Sequence, residues 1–349
     1  MKRFIYMDVL MPKTRDETFD IMKGFLILMV VVGHLPAGKL SPLVYSFHMP
    51  IFFIIAGYFF RQRNFALELR TDFRRLLLPY FFTSLVIMSI ACARYFLFGA
   101  DELFEKILCV LWGSGKITRN QFFGHYLWTS PVWFLYAMFW ARIIFSYIVK
   151  MRKLPFAFFV SLALSIIAIN INDLVDVPFS LLPGICAVSF VFAGYFIREK
   201  QLLYKKTKIV PCCVVCWFVM ISVDGNTDVN FCRYLGFFII DLLGSLGAFF
   251  IIYTVIDSFS KKEWYQDSIW RKILLSLGRY CLVILAIHSI EFVYLQNFWR
   301  AAIASFSFNI FVGSFAQVFV FALRLLLILS CTYFVSKVDF LKEKIFGIK

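Results

Sequence analysis

Ten stretches of about 20 mainly apolar residues follow one another along this chain, and each is long enough to cross a bilayer as a helix. They cover residues 19–38, 43–60, 76–98, 130–149, 154–170, 180–197, 209–223, 235–257, 274–296 and 311–336. An ordinary soluble domain cannot carry that load: 61% of the 349 residues are hydrophobic and only 16% charged, and the mean hydropathy is +0.80. The pattern predicts an all-α, polytopic transmembrane bundle of about ten spans, formed by residues 1–349 as one unit embedded in the lipid bilayer.

The net charge of +15 raises the question of a nucleic-acid partner, and the placement of the basic residues answers it. They alternate between loops and form no single patch. Lys2, Arg3, Lys13 and Arg15, the loops Arg61 to Arg75, Lys150 to Lys153, Arg198 to Lys208 and Lys261 to Arg279, and the C-terminal lysines place 26 cations on one side. The opposite loops hold six: Lys39, Lys106, Lys116, Arg119, Arg233 and Arg300. That asymmetry predicts an even number of spans with both termini cytoplasmic, because basic loops stay on the cytoplasmic side.

Nine cysteines, most of them within or beside apolar segments, imply no disulfide framework. Cys212, Cys213 and Cys216 have the look of a metal or redox cluster, but no His or acid stands beside them, so packing is the simpler role and no metal is expected. The first apolar stretch follows basic residues as a signal peptide would, yet it contains Lys23 and His34 and runs on into further spans, so it reads as a retained helix. No internal repeat supports carrier architecture. The loop from Gly99 to Thr129 is the one sizeable outer insertion, and Phe122, Phe123, His125, Tyr126 and Trp128 within it read either as an interfacial belt or as a sugar-stacking surface.

Histidines in hydrocarbon call for explanation. His34 stands eleven residues after Lys23, ~16 Å along a helix, and His48 lies a few residues into the next span across a short turn, at similar depth. His288 is about fourteen residues into a span that begins on the basic side, ~20 Å along it, so three of the four histidines share a depth. Imidazole suits proton abstraction from a hydroxyl near neutral pH, the need of acyl transfer to an alcohol. Glu291, three residues after His288, either orients that imidazole or marks the helix end. Asp241, Arg142, Arg94 and Arg324 are further charges within spans, and Arg324, the deepest, faces the interior as an ion pair or as a contact to an anionic substrate.

The segments KGFLILMVVVGH, YSFHMPIFFIIAGYFF, RRLLLPYFF, PVWFLYAMF and LGRYCLVILAIHS, in that order from about residue 15 to 295, resemble the acyltransferase family 3 membrane proteins. The resemblance implies a bacterial inner-membrane enzyme that O-acylates a polysaccharide or lipid-linked sugar, with acetyl-CoA or another acyl-CoA as donor. It implies that His34 is the catalytic base and that His48 lines the site. The family pattern places Arg before that histidine with ten residues between them, and here Lys23 holds the place, keeping a point charge for phosphate but losing the bidentate fork. In this reading Lys23, Arg70, Arg74 and Arg75 hold the donor phosphates, although the three arginines equally satisfy the cytoplasmic charge rule. His288, Glu291, Arg142, Asp241 and Trp133 are the further candidates for lining the site. The rival classes are a lipid-linked oligosaccharide transporter or polymerase, and an ion-coupled carrier using Asp241, Glu291 and Arg142. Neither accounts for His34, His48 and the spacing from Lys23.

Overall fold

The computed structural model describes residues 16–35, 41–116, 120–125, 127–151, 153–224, 237–306 and 310–348. Lys2, Arg3, Lys13, Arg15, Lys39, Arg119, Tyr126, Arg152, Arg233 and Lys349, as well as residues 36–38 and 235–236 of the expected spans, lie outside them. In chain order the helices are α1 (Glu17–Gly33), α2 (Ser41–Tyr45), α3 (His48–Tyr58), α4 (Phe65–Asp72), α5 (Leu78–Phe98), α6 (Leu103–Trp112), α7 (Trp133–Ile148) and α8 (Leu154–Leu174). There follow α9 (Leu181–Cys186), α10 (Val188–Glu199), α11 (Lys206–Asp224), α12 (Phe238–Ser260), α13 (Glu263–Gln266), α14 (Ile269–Arg279), α15 (Cys281–Phe306) and α16 (Ile310–Lys337). No strand forms among the described residues, and one isolated bridge joins Ser114 to Trp128.

The described part of every predicted apolar stretch is mainly helical, but among the described residues six helices are long and apolar enough to span a membrane, or seven if the bent pair α9 and α10, angled by 46°, counts as one span. Several predicted spans are broken. The second divides at Ser46 and Phe47, and the ninth divides at Tyr280, so that α14 packs beside α1 before α15 begins. The third extends back to Phe65 through a π-helical turn, Phe73–Leu77. Pro79 lacks an N–H for the carbonyl four residues before it, which is a local reason for the turn to widen. The outer insertion contains α6, a helix that its mixed composition did not announce.

α1 is the hub, packed against α2, α3, α12, α14, α15 and α16. Its start is set by Asp16, whose side chain accepts from the Thr18 N–H at 3.0 Å, and its 17 residues extend about 25 Å. Two close crossings hold the bundle around it. A Cβ on Gly24 would lie 2.0 Å from the Leu274 carbonyl oxygen, and one on Gly278 would lie 1.9 Å from that of Asp20, so α1 and α14 touch backbone to backbone. Gly57 and Gly194 bring α3 and α10 together in the same way, at 1.9 Å from the Val191 oxygen and 1.8 Å from the Ile54 oxygen. Small residues are what permits such approach where lipid removes the hydrophobic drive between helices. Gly194→Ala is therefore expected to lower the stability of the detergent-solubilised protein by about 1–3 kcal/mol, the cost of overpacking. A thermal melt followed by size-exclusion chromatography reads it, and an unshifted midpoint would contradict the crossing.

Candidate active site

A cavity of about 2070 Å³ runs beside α1. Lys23, Arg61, Arg63, Arg75, Arg198 and Arg279 line one end, His34 and His48 line its middle, and Trp128, Gln296 and Arg300 line the other. The basic end is the one built by loops that the charge pattern assigns to the cytoplasm. Phe52, Ile55, Phe134 and Met138 make its apolar wall between them.

His34 closes α1 as its C-terminal cap, and its Nδ1 lies 2.8 Å from the Val30 carbonyl. A carbonyl only accepts, so Nδ1 carries the hydrogen and Nε2 keeps its lone pair. His48 opens α3 with the same arrangement, Nδ1 donating to the Val44 carbonyl at 2.8 Å. Tyr45 stands between the two imidazoles, its ring centroid 5.8 Å from that of His34 and 5.0 Å from that of His48.

Behind His34 lies a buried charge network. The His288 ring is 5.3 Å from the His34 ring, fully buried and not on the cavity wall, and its Nδ1 donates to Glu291 Oε2 at 3.0 Å. Its Nε2 has no hydrogen-bond partner. Arg324 clamps Glu291 with two bonds, Nε to Oε1 at 2.9 Å and Nη2 to Oε2 at 3.0 Å, and Trp299 Nε1 also donates to Oε1. The same guanidinium donates from Nη1 to the His34 carbonyl at 2.9 Å. Arg324 is thus the ion pair of the two roles considered for it, and Glu291 orients an imidazole instead of marking a helix end.

The remaining candidates divide. Lys23 lines the cavity and pairs with Asp20 at 2.6 Å, its side chain 25% exposed. Arg142 lines it too, held by Asp72 at 2.9 Å, and Trp133 forms part of the wall. Arg75 reaches the cavity, whereas Arg70 and Arg74 are exposed and off it. Asp241 is buried in the first turn of α12, away from the cavity, near Cys186. Phe122 and Phe123 are exposed on the outer loop, while Trp128 turns into the cavity and meets Phe292 edge to face at 4.9 Å. No group of three or more His, Cys, Asp or Glu is arranged to hold a metal among the described residues.

The profile of an acyltransferase domain family matches residues 16–335, nearly the whole bundle and every element that lines the cavity's middle. The chain belongs to acyltransferase family 3. Among curated proteins it is similar to nodulation protein NolL of Sinorhizobium fredii, 38% identical over 104 residues, 24% of this chain and 27% of that protein. It is also similar to nodulation protein NolL of Mesorhizobium japonicum, 35% identical over 98 residues, 24% of this chain and 26% of the relative. The matched region spans about a quarter of the length of these relatives. No solved structure matches the chain.

Cavity residues with chemistry that the sequence did not single out include Asp20, Asp72, Glu199, Glu68 and Gln296. Glu68 hides in a basic run, where an acid reads as a solvated neighbour. Gln296 had a signal: His288, Phe292 and Gln296 are spaced by four, and such residues share one face of a helix.

Proposed function

We propose that this chain is an integral membrane O-acyltransferase that moves an acyl group, acetyl in the first instance, from acyl-CoA to a hydroxyl of a cell-surface or exported polysaccharide. The observation that carries the reading is the single cavity in which a basic end, His34 with its free Nε2, and an aromatic far end are continuous. The proposed setting is a bacterial inner membrane crossed about ten times, with both termini cytoplasmic, as the distribution of basic loops supports.

Acyl-CoA enters at the basic end, where Lys23 and Arg75 meet its phosphates and the apolar wall takes the pantetheine arm and thioester. The acceptor hydroxyl arrives from the opposite end. His34 Nε2 takes its proton as the oxygen attacks the thioester carbonyl carbon. The C–S bond breaks, the ester forms, and the coenzyme leaves as a thiolate that recovers the proton from the His34 imidazolium. The anion of Glu291, one imidazole behind, favours that transient positive charge, and Arg324 keeps Glu291 in place. His48 and Trp133 shape the chamber, and Arg142 braces its wall through Asp72.

The test uses the purified protein in lipid nanodiscs with acetyl-CoA and polysaccharide from a strain lacking the gene. Release of free coenzyme A thiol that depends on the polysaccharide, with matching ester formed on it, is the expected result. Intact acetyl-CoA in the presence of the polysaccharide would favour a transporter or carrier instead.

A further inference from the structure

Gln296 presents a problem that its own fold does not solve. It lies on α15, is 9% exposed, lines the cavity, and its amide nitrogen faces the His34 carbonyl at 3.5 Å. That carbonyl can only accept, so the amide is oriented with its nitrogen toward His34 and its oxygen away. The oxygen, Oε1, is buried and has no hydrogen-bond partner. Leaving an acceptor of this kind unsatisfied is costly, and a ligand that brings a donor relieves the cost.

What surrounds the amide indicates the ligand. Phe292, one turn earlier on α15, has its ring 5.1 Å from that of His34 and carries the Trp128 indole edge to face at 4.9 Å. An indole in a cavity wall offers a flat apolar surface to the C–H face of a sugar ring. A base that takes one hydroxyl proton therefore stands beside an acceptor that lacks one. Resting on the acyl-transfer reading above, we infer that Gln296 is a specificity-determining residue whose Oε1 accepts a hydrogen bond from a second hydroxyl of the acceptor, adjacent on the ring to the one presented to His34, while Trp128 stacks on that ring. The subsite thus selects a secondary hydroxyl with a free neighbour.

Two measurements on whole cells test this. The first locates the ester by NMR of the surface polysaccharide from wild-type cells. An ester on a secondary ring hydroxyl whose neighbouring hydroxyl is free is expected. An ester on a primary hydroxyl, or on a position whose neighbours are all linked or part of the ring, would overturn the inference and leave acyl transfer standing. The second follows the initial rate of ester incorporation in a labelled-acetate pulse, at matched membrane levels of wild type, Gln296→Leu and Gln296→Glu. A loss on the order of tenfold is expected for Gln296→Leu, because a polar site loses its partner. Gln296→Glu keeps an accepting oxygen and should restore most of the rate, which a purely structural role for the amide would not produce. Equal rates in wild type and Gln296→Leu would overturn the subsite. An ester content that is unchanged when the gene is deleted would overturn the acyl-transfer reading itself, and the subsite with it.

Discussion

In cells carrying His34→Ala at the same membrane level as wild type, ester-linked acyl groups on the surface polysaccharide are expected to fall by about 10²–10⁴-fold in rate, the usual contribution of a positioned general base. The geometry supports an effect of that size. His34 is the histidine at the middle of the cavity that is anchored on three sides: Nδ1 to the Val30 carbonyl, its own carbonyl to Arg324, and its ring against His288 and Phe292. Anchoring matters because a base that must be frozen into position at the moment of reaction loses much of its advantage. Alanine removes Nε2 and leaves the backbone cap of α1 intact, since the Arg324 contact is to the main-chain oxygen. The variant should therefore reach the membrane normally, and ester content measured by alkaline release, set against protein level, separates loss of chemistry from loss of fold. His48→Ala is expected to have the milder effect, because His48 is held only to Val44 and meets His34 through Tyr45. Wild-type rates in His34→Ala would remove this imidazole from the reaction.

Arg324→Met should be the most damaging substitution for the fold. Arg324 and His288 are wholly buried and Glu291 is 4% exposed. Removing the guanidinium leaves the carboxylate with one neutral imidazole and one indole for partners, and breaking a buried pair from one side costs about 3–5 kcal/mol. Low recovery of folded protein in detergent is the expected result, read by fluorescence-detected size exclusion. The double variant Arg324→Met/Glu291→Leu removes the stranded charge and should regain much of the yield, since an apolar pair of similar volume is often tolerated in place of a buried ion pair. Its ester-forming rate should remain low, because the His34 carbonyl loses its anchor and His288 loses the carboxylate that orients it. Recovery of both yield and rate in the double variant would show that the network serves stability alone.

The sequence made some of these residues legible and concealed others. The spacing from Lys23 to His34 and the shared depth of His34, His48 and His288 were visible, because depth along a helix is counted in residues at 1.5 Å each. Those counts correctly brought the three rings into one region. Arg70, Arg74 and Arg75 looked equivalent as a cluster, and only Arg75 lines the cavity: rotation about the helix axis through a π-helical turn is not readable from composition. Asp241 looked like a cavity charge because a carboxylate in an apolar run is functional by default, yet it is placed away from the cavity. Glu291 and Arg324 stand 33 residues apart, on different helices, and no spacing rule connects them.

By itself, then, the sequence determined that the chain is a helical membrane protein and placed its histidines and basic loops by depth, since hydropathy, helix rise and loop charge are local properties that act through the solvent each segment must face. Which charges meet, and which surround the cavity, follows from how the helices pack. That choice depends on the rotation and crossing of helices, set here by contacts such as Gly24 with Gly278, Gly57 with Val191 and Gly194 with Ile54, where two backbones far apart in the chain must fit against each other before any side chain has a partner.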